Sequence, residues 1–118
     1  MERLIELSTE ADWDKLLAES SEKPLLVFKH STRCPVSADA HEQYQQYLKQ
    51  PLPGVAYAYV DVIESRPVSN RIAETLHVKH ESPQAILVYG GRAVWHDSHW
   101  RLTAEAMHAA IRDHAQAL

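Results

Sequence analysis

The chain has 118 residues, 45% hydrophobic and 24% charged, with 12 basic and 16 acidic side chains giving a net charge of −4. This length supports one domain over residues 1–118, and the balanced charge excludes extensive disorder and a basic footprint for nucleic acid or anionic lipid. No apolar run nears the ~20 residues that cross a bilayer, and the single cysteine, Cys34, excludes an internal disulfide or a zinc site of several thiolates.

Leu4-Ile5-Glu6-Leu7 suits a short first strand. Thr9 followed by Asp12 suits a helix N-cap, with Ala11, Trp13, Leu16 and Leu17 as an apolar face running to about Ser20. The compact run from Pro24 to His30 predicts a strand buried on both faces, in the middle of a mixed sheet. Ser31 to Pro35 turns into a helix, where Pro35 fits the first turn because its missing N–H would have no partner there. Ala38, His41, Tyr44, Gln45 and Leu48 carry that helix to about Lys49, and Pro51-Leu52-Pro53-Gly54 stops it.

Val55 to Val62 is a second β-rich run, and Ser65-Arg66-Pro67 opens a helix with Val68, Ile72, Ala73 and Leu76 on one side. After a loop from Val78 to Ser82, Pro83 precedes the strand Ala85 to Tyr89. Gly90-Gly91 suits a tight hairpin turn, Ala93 to His96 is the return strand, and Thr103 caps a last helix reaching Ala115. The order β-α-β-α-β-α-β-β-α implies an α/β domain with helices covering a mixed sheet, its strand order left open.

Cys34 follows a buried strand and precedes a helix. Unpartnered N–H groups and aligned peptide dipoles there favour a thiolate, and Lys29, His30 and Arg33 add positive potential. A lone cysteine is often a buried, inert filler, but this placement favours reactivity. A free thiol near pKa 8.5 is only about 3% ionised at neutral pH, so even a modest lowering matters. Ser82-Pro83 is the second informative feature. A trans bond is the commoner state, whereas a cis bond turns the Ser82 backbone towards whatever approaches Cys34.

Three segments in order carry a resemblance: His30-Ser31-Thr32-Arg33-Cys34-Pro35-Val36-Ser37, His80-Glu81-Ser82-Pro83-Gln84 and Trp95-His96-Asp97-Ser98-His99-Trp100. Over nearly the whole chain the sequence resembles the monothiol bacilliredoxin family, thioredoxin-like general-stress proteins of bacteria that use bacillithiol. The family's active site is close to Thr-Cys-Pro-Ile-Ser, so Val36 is a conservative departure and Arg33 an added charge. The resemblance implies a thioredoxin-like fold, a central mixed sheet flanked by helices, in a cytoplasmic monomer. It implies that Cys34 takes bacillithiol from S-bacillithiolated client proteins through a mixed disulfide, with bacillithiol as co-substrate and no resident cofactor. Ser37 then stands where a dithiol thioredoxin has its second cysteine, and a hydroxyl cannot resolve a disulfide, so the second thiol comes from outside. Ser37 donates a hydrogen bond to sulfur in this reading, or is merely solvent-exposed. Pro35, Ser82 and Pro83 flank and align the mixed disulfide. His30, placed with the substrate-binding residues, tunes the thiol or simply faces solvent, and Lys29 and Arg33 pair with the malate carboxylates of bacillithiol or are simply solvated.

Two competing functions keep the fold. One is a non-catalytic interaction module in which Cys34 fills space. The other is a monothiol glutaredoxin-like iron–sulfur carrier, which usually has Gly and Phe where this chain has Pro35 and Val36. Of the eight histidines, His96 and His99 beside Asp97 are the nearest to a metal motif, but surface or structural roles are the stronger reading and no metal is expected. Trp13, Trp95, Trp100 and the tyrosines are expected in the core, with indole N–H groups bonded to backbone.

Overall fold

The computed structural model describes residues 4–31, 35–52 and 54–116, without the side chains at 36, 115 and 116. Its elements follow the expected order: β1 (Leu4–Glu6), α1 (Glu10–Glu19), β2 (Leu25–His30), α2 (Pro35–Tyr47), β3 (Ala56–Asp61), α3 (Arg66–Leu76), β4 (Gln84–Tyr89), β5 (Arg92–Ser98) and α4 (Ala104–Ile111). A 3₁₀ turn, His99–Arg101, precedes α4, and a π-helical turn, Arg112–Gln116, continues it.

Local chemistry sets the boundaries. Thr9 and Asp12 form a reciprocal capping box, Asp12 N–H donating to Thr9 Oγ1 at 3.1 Å and Thr9 N–H to Asp12 Oδ2 at 3.0 Å. Those backbone donors from Ser8 and Thr9 hold the Asp12 carboxyl below its usual range. Thr103 caps α4 with a single bond, its hydroxyl accepting from Ala106 N–H at 3.0 Å. Gly90 and Gly91 turn the hairpin with φ of 66° and 78°, and Gly90 N–H donates to Ser20 O at 2.8 Å, pinning the turn to the end of α1. The return strand is longer than its apolar run suggested, because Asp97 and Ser98 pair with Ala85 and Gln84.

The sheet runs β1-β3-β2-β4-β5. β2 is parallel to β3 and antiparallel to β4, so it occupies the centre and all six of its residues are buried. Alternation along β2 then divides the interior. Leu25 and Val27 join Trp13 and Leu16 of α1 and Val68, Ile72 and Leu76 of α3 on one face. Leu26 and Phe28 join Tyr44 and Tyr47 of α2 and Met107 and Ile111 of α4 on the other. Trp13 is in the core as expected, but its indole N–H donates at 2.9 Å to the Thr75 side-chain hydroxyl and not to backbone. Trp95 is half-buried against the second cluster. Trp100 is a correction: it stands 69% exposed on the 3₁₀ turn. No described helix is long and apolar enough to cross a membrane.

Candidate thiol site

Cys34 and Arg33 lie outside the described residues, so the site is drawn by its neighbours. β2 ends at His30, and α2 begins at Pro35, the residue after Cys34 in the chain. Pro35 itself is exposed.

Ser37 is a fully buried polar group of this site. Its side chain has no exposed area, which corrects the solvent-exposed alternative. Its hydroxyl accepts from Ser31 N–H at 3.1 Å and lies 3.5 Å from Ser82 Oγ. One serine therefore joins the end of β2, the first turn of α2 and the loop entering β4. The Ser82-Pro83 bond is cis, Ser82 is half-buried and Pro83 buried. Pro83 O accepts from His99 N–H at 3.1 Å, tying this loop to the turn that carries Trp100.

Lys29 and His30 prepare the two faces beneath. Lys29 continues the Leu25, Val27 side and has no exposed area. This corrects the expectation of a surface lysine, whether solvated or paired with ligand carboxylates. Its Nζ donates to Ser69 O of α3 at 3.1 Å and to His80 Nδ1 at 3.3 Å, and Ser69 Oγ lies 3.3 Å from the same ring nitrogen. An ammonium has only donors, so His80 Nδ1 accepts and its proton sits on Nε2. Burial lowers the Lys29 pKa to about 8. Burial first, then the nearby charges of Lys29 and Arg66, holds His80 below the usual imidazole range. Opposite Lys29 in the ladder, Gln84 donates Nε2–H to Lys79 O at 3.0 Å, while its buried Oε1 has no partner among the described residues.

His30 turns to the other face, where it is only 9% exposed. Its ring stacks on His41 of α2 with centroids 4.8 Å apart and planes at 9°, and Phe28 and Tyr59 close around it. Desolvation first, then the His41 charge, lowers its pKa against the opposing pull of Asp61. His30 thus sits within ring packing, which corrects the alternative that it simply faces solvent.

Ser69, His80, Gln84 and His41 escaped sequence reasoning as site residues. A signal existed for Ser69 and His80: a lysine on the Leu25, Val27 side of a two-sided buried strand requires internal acceptors. His41 read as one position of an α2 stripe, and its stacking on His30 depends on tertiary packing. His96 and His99 are both exposed, and no group of three or more His, Cys, Asp or Glu side chains able to hold a metal occurs among the described residues.

A mixed sheet in this strand order, a Cys-Pro pair entering α2 and a cis-proline entering β4 define the class: a thioredoxin fold with a thiol-redox function. Several solved structures share the fold. One, provisionally described as an oxidoreductase with a thioredoxin fold, is 33% identical with a TM-score of 0.80, over 91% of this chain and 92% of its own. The thioredoxin of Fasciola hepatica is 21% identical with a TM-score of 0.75, over 93% and 98% of the two chains. The thioredoxin of Malassezia sympodialis is 14% identical with a TM-score of 0.78, over 97% and 92%. At such identities these two speak for the fold alone. The chain matches the monothiol bacilliredoxin family over residues 5–107 and belongs to it.

Proposed function

We propose that this protein is a monothiol thiol-disulfide oxidoreductase that removes bacillithiol from S-bacillithiolated proteins. The Cys34 thiolate attacks the bacillithiol sulfur of the mixed disulfide. A new S–S bond joins Cys34 to bacillithiol as the old one breaks, and the client leaves as a thiolate that takes a proton from water. A second thiolate from solution or a partner then attacks the bacillithiol sulfur and releases Cys34, so no net electron remains on the protein.

The observation that carries this reading is Ser37. It occupies the position three residues after Cys34, is fully buried, and holds its hydroxyl between Ser31 N–H and Ser82 Oγ. With one cysteine in the chain, nothing internal resolves the mixed disulfide. Amides at the start of α2 stabilise the Cys34 anion, Ser82 and Pro83 align the disulfide, and Arg33 pairs with the malate carboxylates. Lys29 has no part in that pairing. Bacillithiol is co-substrate, no cofactor is resident, and the protein works as a cytoplasmic monomer.

Incubation with oxidised bacillithiol, followed by intact-mass measurement, tests the reading. One bacillithiol is expected on Cys34, none on Cys34→Ala, and a bacillithiolated client regains its free thiol only with the wild type. A folded wild type that takes up no bacillithiol overturns it.

A further inference from the structure

Trp100 is the one large apolar side chain left exposed among the described residues, at 69%. A single exposed apolar residue means little by itself. This one, however, is held outward by a fixed turn. His99 adopts φ of 57°, left-handed and uncommon for a non-glycine residue, and its N–H is spent on Pro83 O. Arg101 is drawn back by Asp97 and by Ser98 Oγ at 3.4 Å. On the facing wall, Gln43 of α2 accepts from Ala104 N–H at 2.9 Å, locking α2 to the start of α4.

Between these walls runs a groove of about 300 Å³ whose lining includes Asp39, Glu42, Gln43, His99, Trp100 and the buried Leu102. Its carboxylates are Asp39 and Glu42, both exposed, and among the described residues no lysine or arginine lines it. The Arg101 guanidinium beside it is already engaged by Asp97. An indole face next to two carboxylates suits a cation, because the ring quadrupole and both charges attract the same sign.

Resting on the exchange reading above, we propose that this groove docks an extended client segment bearing a lysine or arginine. The cation sits between the Trp100 indole and the carboxylates of Asp39 and Glu42. Along α2, Asp39 and Glu42 lie about 6 and 10 Å from Pro35 at 1.5 Å per residue. An extended peptide at about 3.3 Å per residue covers that span in roughly two to three residues. The favoured basic residue therefore stands two or three positions from the modified client cysteine.

Paired synthetic peptides test this. In one arm, bacillithiolated cysteine peptides carry Arg or Glu at those positions. The wild type is expected to process the Arg peptide with about five- to tenfold higher kcat/KM, and the preference collapses in W100A and in D39N/E42Q. In the second arm, cysteine-free versions are titrated against the Trp100 indole N–H by NMR. The Arg peptide shifts that resonance, the Glu peptide does not, and D39N/E42Q abolishes the shift. Melting temperatures of the variants report that the fold persists. Equal rates for the two peptides, or a preference that survives both variants, overturn the docking site. If neither peptide exchanges, the exchange reading fails and the indole titration alone decides the groove: a charge-selective shift sustains it, and no shift overturns it.

Discussion

Lys29 and His30 are consecutive residues of β2, and the pleat sends them to opposite faces of the same sheet. Both are buried bases with pKa values lowered chiefly by desolvation, yet they are accommodated differently. Lys29 keeps its proton at neutral pH by donating to Ser69 O and His80 Nδ1, and so holds α3 and the loop before Pro83 around a buried charge. His30 keeps its neutral form by stacking in an aromatic cluster with His41, Phe28 and Tyr59. The face towards α3 is fastened by a charge, whereas the face towards α2 is fastened by ring packing. Ser37 stands where the two sides meet below the cis-proline loop.

The largest test of this contrast is Lys29→Met. The folded lysine has a pKa of about 8 against 10.5 for the free group, so the unfolded chain binds more protons between those values. Stability therefore rises with pH across that window by about 3 kcal/mol from this group, and its penalty is fully present below pH 8. In the variant that gain disappears. The difference between wild-type and variant denaturation curves, taken at successive pH values, isolates it from the tyrosines. The variant is expected to be at least as stable near neutrality, because a buried charge has been replaced by an apolar side chain of similar length. A wild-type-minus-variant difference that is flat with pH would remove the buried charge from the account.

Ser37→Ala comes next. Losing the buried hydroxyl that accepts Ser31 N–H and faces Ser82 is expected to cost about 1 to 2 kcal/mol of unfolding free energy. It is also expected to slow exchange by loosening the end of β2, the first turn of α2 and the loop entering β4, while uptake of bacillithiol stays at one per chain. Urea denaturation and intact mass check the two parts.

The smallest effect concerns the opposite face. His41→Ala removes a stacked partner, at about 0.5 to 1.5 kcal/mol, and also removes the charge that presses on His30. The His30 ring, followed by NMR, is expected to titrate at higher pH in the variant. His30 is depressed in the fold, so its contribution is present above pH ~6.5 and is lost as pH falls through its folded value. The acid limb of the stability curve should therefore shallow in the variant. An unchanged His30 midpoint would mean that burial by β2 alone, without His41, sets it.

Much of this architecture can be read from residue pattern. The apolar run through β2, the Thr9 and Thr103 caps and the Gly90-Gly91 turn each carry a local physical signature, and each stands where that signature puts it. What escaped depends on partners distant in the chain. Lys29 resembles a surface charge until Ser69 and His80 arrive to accept its hydrogens. Trp100 resembles a core residue because its exposure follows from the left-handed backbone of His99, which no side-chain pattern encodes. Polar Asp97 and Ser98 extend β5 only because β4 offers them a ladder. Ser37 gained its importance from family resemblance, since serine early in a helix has many uses.

Exchange depends on an ionised Cys34, and the pH dependence of its alkylation rate reads that ionisation. A half-maximal rate clearly below the ~8.5 of an ordinary thiol is expected, with one alkyl group per chain and none on Cys34→Ala. A midpoint at or above 8.5, or a native protein whose Cys34 reacts only after unfolding, would contradict it.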